Sequence, residues 1–283
     1  EDIEHFRESA LECLKPFSFE KVFVRIERVD VSKQGLQDIR QIILVSSGKG
    51  GVGKSTIAVN IAATLVQRGH AVGLMDADIY GPSVPALLGI TEKPQVLAEE
   101  VLMPVSAHGI KTMSIGLLVP LEKAIAWRGQ LVSGTVLQFI RKVNWGTLDF
   151  LIVDMPPGTG DIQLTIASEL EIYGVIIVTI PQQIVIGDVI RSITMYREHE
   201  VPIIGIVQNM VTCECEKCGH QQNIFSGQKH DFNGIPTISS LPLDRRLWEC
   251  SDEGVPYVIN NRGTPVYEEF EKIALSLEIQ REK

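Results

Sequence analysis

Residues 48–55 read Gly-Lys-Gly-Gly-Val-Gly-Lys-Ser, between an apolar run, QIILVSS (41–47), and a stretch of helical periodicity, KSTIAVNIAATLVQRG (54–69). The pattern G-x-x-x-x-G-K-[ST], placed after a strand and before a helix, constrains the fold more than any other feature of the chain. Its glycines let successive backbone N–H groups turn inward around an anion, and the helix N-terminus adds partial positive charge. The backbone of Gly48, Lys49, Gly50, Gly51, Val52 and Gly53 is expected to line this nest. Lys54 is expected to reach the β- and γ-phosphates, Ser55 to ligate Mg2+, and Thr56 to bond the α-phosphate. The site is read as one for ATP.

A phosphate loop of this kind belongs to an α/β sheet, and the rest of the chain agrees. Apolar runs recur at 71–76 (AVGLMD), 149–154 (DFLIVD), 174–180 (GVIIVTI) and 202–209 (PIIGIVQN). Helical patterns separate several of them, and the helix at 54–69 places Ile57, Ile61 and Leu65 on one face. Continuous apolar strands alternating with helices predict a mostly parallel central sheet covered on both faces. Two stretches break the alternation. Residues 101–119 read as an inserted antiparallel hairpin, and 211–235 as a polar, cysteine-bearing loop. The expected organisation is an N-terminal appendage, 1–40, followed by an ATPase domain, 41–283. The appendage carries one helical and one strand-like pattern, too little to bury a core alone. The chain starts at Glu1 rather than Met, which predicts an upstream segment.

Strand ends supply acids to the same edge. Asp154 closes one strand before MPPGTGD, and is expected to hold Mg2+ through water, with the Gly158 N–H facing the γ-phosphate. Asp76 and Asp78 follow another strand, one to orient the attacking water and the other to assist the metal. Carboxylates from parallel strands converge where such sheets place ligands.

Cysteine usage adds a second chemistry. Three of the five cysteines and one of the six histidines fall in CECEKCGH (213–220). They are too close together for a disulfide framework, which favours a reducing compartment and a metal or redox role. Cys213, Cys215, Cys218 and His220 offer a Cys3His zinc set within one subunit, although the spacing is tight. A dithiol redox pair and an iron–sulfur site are the other readings. Cys13 and Cys250 lie outside the cluster and read as ordinary helix residues, and Trp127 and Arg128 as packing and surface.

The formal charge of −9 argues against a nucleic-acid surface, which needs a basic stripe. The longest apolar run, 174–180, falls far short of the ~20 residues of a membrane-spanning helix. No nucleic-acid or membrane partner is therefore expected.

Taken together, VSSGKGGVGKST, DADIYGPSVPALLG, WRG (127–129), LDFLIVDMPPGTGDIQLT, QNM (208–210) followed by CEKC, and SDEGVPYV resemble the Mrp/ApbC family of iron–sulfur carrier ATPases. That family lies within the deviant Walker A, MinD/ParA-like class of P-loop proteins. The likeness runs from about residue 41 to the C-terminus. It departs at IPQQ (180–183), at Gln130 after WRG, and between Phe225 and Pro242, where the chain is short. The resemblance implies that Lys49 reaches phosphates bound in a partner subunit, and that Asn209 touches the adenine. It also implies a cytoplasmic homodimer that carries a [4Fe–4S] cluster and delivers it to apo iron–sulfur proteins, with ATP hydrolysis serving loading or transfer. Cys215 and Cys218 match the family's pair. A four-iron cluster takes four thiolates, and a two-fold interface brings two such pairs to one axis. The competing readings are a zinc-stabilised P-loop ATPase, a MinD/ParA-like positioning ATPase, and a reductase-type ATPase whose cluster carries electrons.

Overall fold

Nine consecutive residues, Ile39–Ser47, form β1, with seven buried in a row from Gln41. Only a strand covered on both faces shows that pattern. The computed structural model describes residue 36 and residues 38–96, 101–118, 136–137, 139–215, 217–225 and 231–279. The appendage up to residue 34, Cys13, Trp127 and Arg128 lie outside the described residues.

Around β1 stand β2 (Val72–Asp76), β5 (Val105–Ala107), β6 (Ile110–Ser114), β7 (Leu148–Asp154), β8 (Gly174–Thr179), β9 (Ile203–Gln208) and β12 (Thr237–Ser240). Their order in the sheet is β12-β9-β8-β1-β7-β2-β6-β5. Each neighbouring pair is parallel except β5 with β6. The expected α/β class and mostly parallel sheet are the observed ones. The hairpin at 101–119 is not an insertion, however. Its second strand, β6, also pairs parallel with β2 and so continues the main sheet, while β5 turns back along the edge. The two short strands β3 (Gln95–Val96) and β4 (Leu102–Met103) pair apart from that sheet.

The helices are α1 (Lys54–Gln67), α2 (Val84–Leu87), α3 (Asp161–Glu169), α4 (Gln183–Glu198), α5 (Arg245–Glu253), α6 (Tyr257–Asn260) and α7 (Pro265–Ile279). Strand residues feed two cores by alternation. Ile43 and Val45 of β1 and Ile176 and Val178 of β8 face α1, α6 and α7. Ile42, Leu44, Val175 and Ile177 face α3, α4 and the helical residues 136, 137 and 139–142. One-sided amphipathicity was expected of α1. Instead it is buried without a break from Ile57 to Leu65, because α6 and α7 pack over its outer side. Asn60 meets that cover: its Oδ1 accepts from the Val258 N–H at 3.2 Å, and its Nδ2 donates to Thr56 O. Burying Ile57, Ile61 and Leu65 contributes roughly 5–9 kcal/mol, at about 1.5–3 kcal/mol for each side chain. That anchors the helix whose first turn makes the phosphate site.

Among the described residues no helix is long and apolar enough to cross a membrane. Cys250 is a buried residue of α5, as its isolation in sequence suggested.

Candidate functional site

β1 ends at Ser47 and α1 begins at Lys54, so the phosphate loop spans six residues at the C-terminal edge of the sheet. Gly51 and Gly53 sit at φ +81° and +86°, where a side chain would clash with its own backbone. Gly48 is required for another reason: a Cβ there would lie 2.6 Å from the Asp188 backbone of α4. Lys49 and Gly50 are exposed, Val52 and Lys54 are buried, and Ser55 and Thr56 are half-buried.

Strand register brings the acids in. Asp154 of β7 is aligned with Val45 of β1 on one side and with Asp76 of β2 on the other. The ammonium of Lys54, expected at the phosphates, lies 2.5 Å from Asp154 Oδ1 and 3.2 Å from Ser55 Oγ. Asp154 is fully buried, and among the described residues its Oδ2 has no hydrogen-bond partner. Burial pushes its carboxyl above the ordinary value, against the pull of Lys54.

Asp76 and Asp78 differ in their surroundings. The oxygens of Asp76 accept from the Asp78 N–H, the Val84 N–H and the Ser114 hydroxyl. Asp76 therefore tethers the loop after β2 to β6 and to the start of α2. Burial, and then the neighbouring charge of Asp154, push its carboxyl up to about 7. Asp78, expected alongside it as a catalytic acid, borders a cavity of about 460 Å3 with Tyr80, Pro156, Pro157, Asp161 and Gln163.

Two further residues of the site bond to the protein itself. The Gly158 N–H, assigned to a γ-phosphate, donates to Ser47 O at 2.8 Å and ties the 155–160 loop to the end of β1. Asn209, assigned to adenine, donates through Nδ2 to Val52 O at 2.9 Å, while its Oδ1 accepts from the Met210 N–H. Its amide is thus part of the wall of the phosphate loop. Sequence reasoning also missed Gln163. This buried side chain donates to Pro156 O at 2.7 Å and accepts from the Gly160 N–H at 3.1 Å, fixing the loop that faces Asp78. The signal was the glutamine three residues after Gly160, half of a helix-capping pattern.

The cysteines stand on a two-stranded ribbon, β10 (Thr212–Glu214) with β11 (Gln221–Asn223). At its tip the Cys215 N–H donates to His220 O, and the Gly219 N–H donates to Cys215 O. Gly219 closes this turn at φ +69°. Cys213 and Cys215 are half-buried and Cys218 is exposed. Among the described residues no three Cys, His, Asp or Glu side chains gather into a metal-binding group, so the Cys3His zinc set is not assembled within the chain. The ribbon is moored at its base, where the Val211 N–H donates to Leu241 O and the Leu243 N–H to Thr212 O.

Comparison with known proteins bears on the family and the fold. A family model described as NUBPL iron-transfer P-loop NTPase, of the ParA group, matches residues 38–278. An iron-sulfur cluster carrier protein of Pseudomonas fragi is 40% identical over 248 residues, covering 86% of each chain. An Arabidopsis thaliana protein described as a mitochondrial iron-sulfur protein required for NADH dehydrogenase is 42% identical over 244 residues, covering 84% of this chain and 78% of that one. A nucleotide-binding protein from Archaeoglobus fulgidus, solved with ADP, superposes with a TM-score of 0.72 at 36% identity, covering 87% of this chain and 97% of that one. The cell-division ATPase MinD of Pyrococcus furiosus shares the fold at a TM-score of 0.63 and 21% identity, over 85% of this chain and 99% of that one.

Proposed function

The chain belongs to the NUBPL iron-transfer P-loop NTPase family, and from that premise we propose that it is an ATP-hydrolysing carrier that holds a [4Fe–4S] cluster between two subunits and passes it to apo-proteins. The observation that carries this reading is the turn at the ribbon tip, with Cys215 half-buried and Cys218 exposed. Two thiolates are half of what a four-iron cargo takes. A two-fold axis beside the tip supplies the same pair again. An exposed cluster is accessible to the thiolates of an acceptor, which replace those of the carrier one at a time without any change of oxidation state.

The phosphate end fits the nucleotide side of the cycle. Gly50, Gly51, Val52 and Gly53 offer backbone N–H groups to the phosphates, and Lys54 leaves Asp154 for the β- and γ-oxygens as ATP binds. The buried, unpartnered Oδ2 of Asp154 and the adjacent Ser55 hydroxyl fit a hard cation, so these residues would hold Mg2+. That ion would neutralise phosphate charge. Thr56 bonds the α-phosphate. Asp78, facing the cavity beside Pro156 and Pro157, orients the water whose oxygen bonds to the γ-phosphorus as the bridging P–O bond breaks. Exposed Lys49 extends from the loop toward phosphates in the partner subunit. Turnover is slow, because it serves loading and transfer rather than metabolism. The bacterial carrier and the mitochondrial plant relative are the support for a cytoplasmic or matrix setting.

Anaerobic reconstitution with iron and sulfide tests the reading on wild type and on the Cys215→Ala/Cys218→Ala protein. About four irons and four sulfides per dimer, lost in the variant, are expected. One tightly held zinc per monomer with no cluster taken up would overturn it.

A further inference from the structure

Asn209 lies between the two halves of this chemistry, and its hydrogen bonds set it apart from its neighbours. It is buried at the end of β9, with its backbone N–H donating to Thr179 O at 2.7 Å. Its side chain then crosses to the phosphate loop, where Nδ2 donates to Val52 O at 2.9 Å. The fit is tight: a Cβ on Gly53 would lie 2.4 Å from that same Nδ2. Gly53 immediately precedes Lys54, the first residue of α1. Any movement of the loop on taking up phosphate therefore meets the Asn209 amide directly.

On its other side Asn209 leads into the cysteine ribbon with little slack. Its Oδ1 accepts from the Met210 N–H at 3.0 Å, and Met210 adopts φ +56°, a left-handed conformation that strains a non-glycine residue. The surrounding bonds hold that conformation in place. The next N–H, of Val211, donates to Leu241 O, and Val211 O accepts from Ile224, so β10 begins and β11 ends at this point. Cys213 bridges to Leu243, and Cys215 opens the turn.

From this we infer that Asn209 is a positioning residue that transmits the state of the phosphate loop to the cysteine turn, as a strut from Val52 O through Met210 to β10. The inference rests on the carrier reading for its purpose, though not for its test. It predicts that nucleotide alters the reactivity of Cys215 and Cys218 in protein that holds no cluster, and that the amide of Asn209 is what carries the effect.

The test is alkylation kinetics of the cysteines under anaerobic conditions, followed by mass spectrometry, with and without a non-hydrolysable ATP analogue and Mg2+. Each protein is measured at an analogue concentration that saturates it, so that occupancy is equal. In wild type the analogue is expected to change the rate at Cys215 and Cys218 at least about threefold, a coupling of roughly 0.65 kcal/mol. In Asn209→Ala the ratio of rates should collapse to about one. Asn209→Asp keeps the acceptor for the Met210 N–H and removes the donor to Val52 O, so it should lose the response as well. Thermal unfolding confirms that the variants are folded. An unchanged response in both variants would overturn the inference, as would a wild type with no response to nucleotide. If neither variant can be saturated, Asn209 serves the nucleotide site alone, which also overturns it. Cluster content on reconstitution is read separately, so a failed strut and a failed carrier give different results.

Discussion

At the phosphate end Lys54 and Asp154 are sealed from solvent, whereas at the ribbon every residue of β11 is exposed. The first region is held from all sides: by Asp188 against Gly48, by Asn209 against Gly53, and by Gly158 against Ser47. The second is a two-stranded hairpin, too small to be stable alone, that hangs on a few backbone hydrogen bonds at its base. The difference follows from what each end must do. A phosphate nest works by pre-aimed donors and is best built rigid. On the proposed carrier reading, a thiol pair that a second copy completes and an acceptor empties has to stay at the surface.

This contrast is a statement about where stability resides, and substitutions can break or sharpen it. The largest effect should come from Lys54→Ala, which leaves the Asp154 carboxylate buried without its counter-charge. A loss of about 3–5 kcal/mol in denaturant unfolding is expected, together with loss of ATP turnover. Adding Asp154→Asn should recover much of the stability and none of the turnover. A wild-type unfolding midpoint for Lys54→Ala would show that the buried pair is not the anchor it looks like.

Gly53→Ala comes next. It forces φ +86° on an alanine and drives a methyl group into the Asn209 amide. A cost of about 2–4 kcal/mol is expected, with nucleotide affinity measured by calorimetry falling in parallel.

The far end of α1 provides an exposed reference. Arg68 there donates to Glu278 Oε1 and Oε2 at 2.8 and 2.7 Å, and His70 lies 2.7 Å from the same carboxylate. The Arg68 bonds, then that of His70, hold the Glu278 carboxyl down at about 2, from an ordinary 4.5. Because the folded state lowers this value, the stabilisation is present above the ordinary value and is lost as pH falls from 4.5 toward 2. Solvent screening limits it to about 1 kcal/mol. Glu278→Gln should therefore be less stable than wild type at pH 7, and the gap should close near pH 2.

The smallest change is expected at the ribbon. Cys215→Ser/Cys218→Ser should shift stability by no more than about 0.5 kcal/mol while abolishing cluster uptake. A large loss of stability there would mean that the turn supports the fold, and the contrast between the two ends would fail.

The comparison also explains what was legible beforehand. The strands at 41–47, 149–154 and 174–180 announced themselves as continuous apolar runs, since burial on both faces leaves no polar positions to interrupt them. The phosphate loop was legible because its glycines meet a local demand, a positive φ at Gly51 and Gly53, that does not depend on distant partners. The clustered cysteines were legible within 211–235, read as a loop, but the ribbon of β10 and β11 there was not. Other contacts were not legible. Asp76 and Asp78 look alike in sequence, but only Asp76 meets Ser114 and Val84. Asn209 meets a carbonyl 157 residues away. The hairpin at 101–119 gave no sign that β6 would pair with β2.

Short-range periodicity and backbone geometry thus carry the α/β class, the glycine-rich loop at 48–53 and the clustering of three cysteines at 213–218. Tertiary structure alone decided that Lys54 lies on Asp154, that Asp76 is a tether, and that Asn209 joins the phosphate loop to the cysteine ribbon. Those choices belong to strand register and sheet order. They set which side chains from distant parts of the chain arrive within hydrogen-bonding distance, and one sequence read locally carries no record of them.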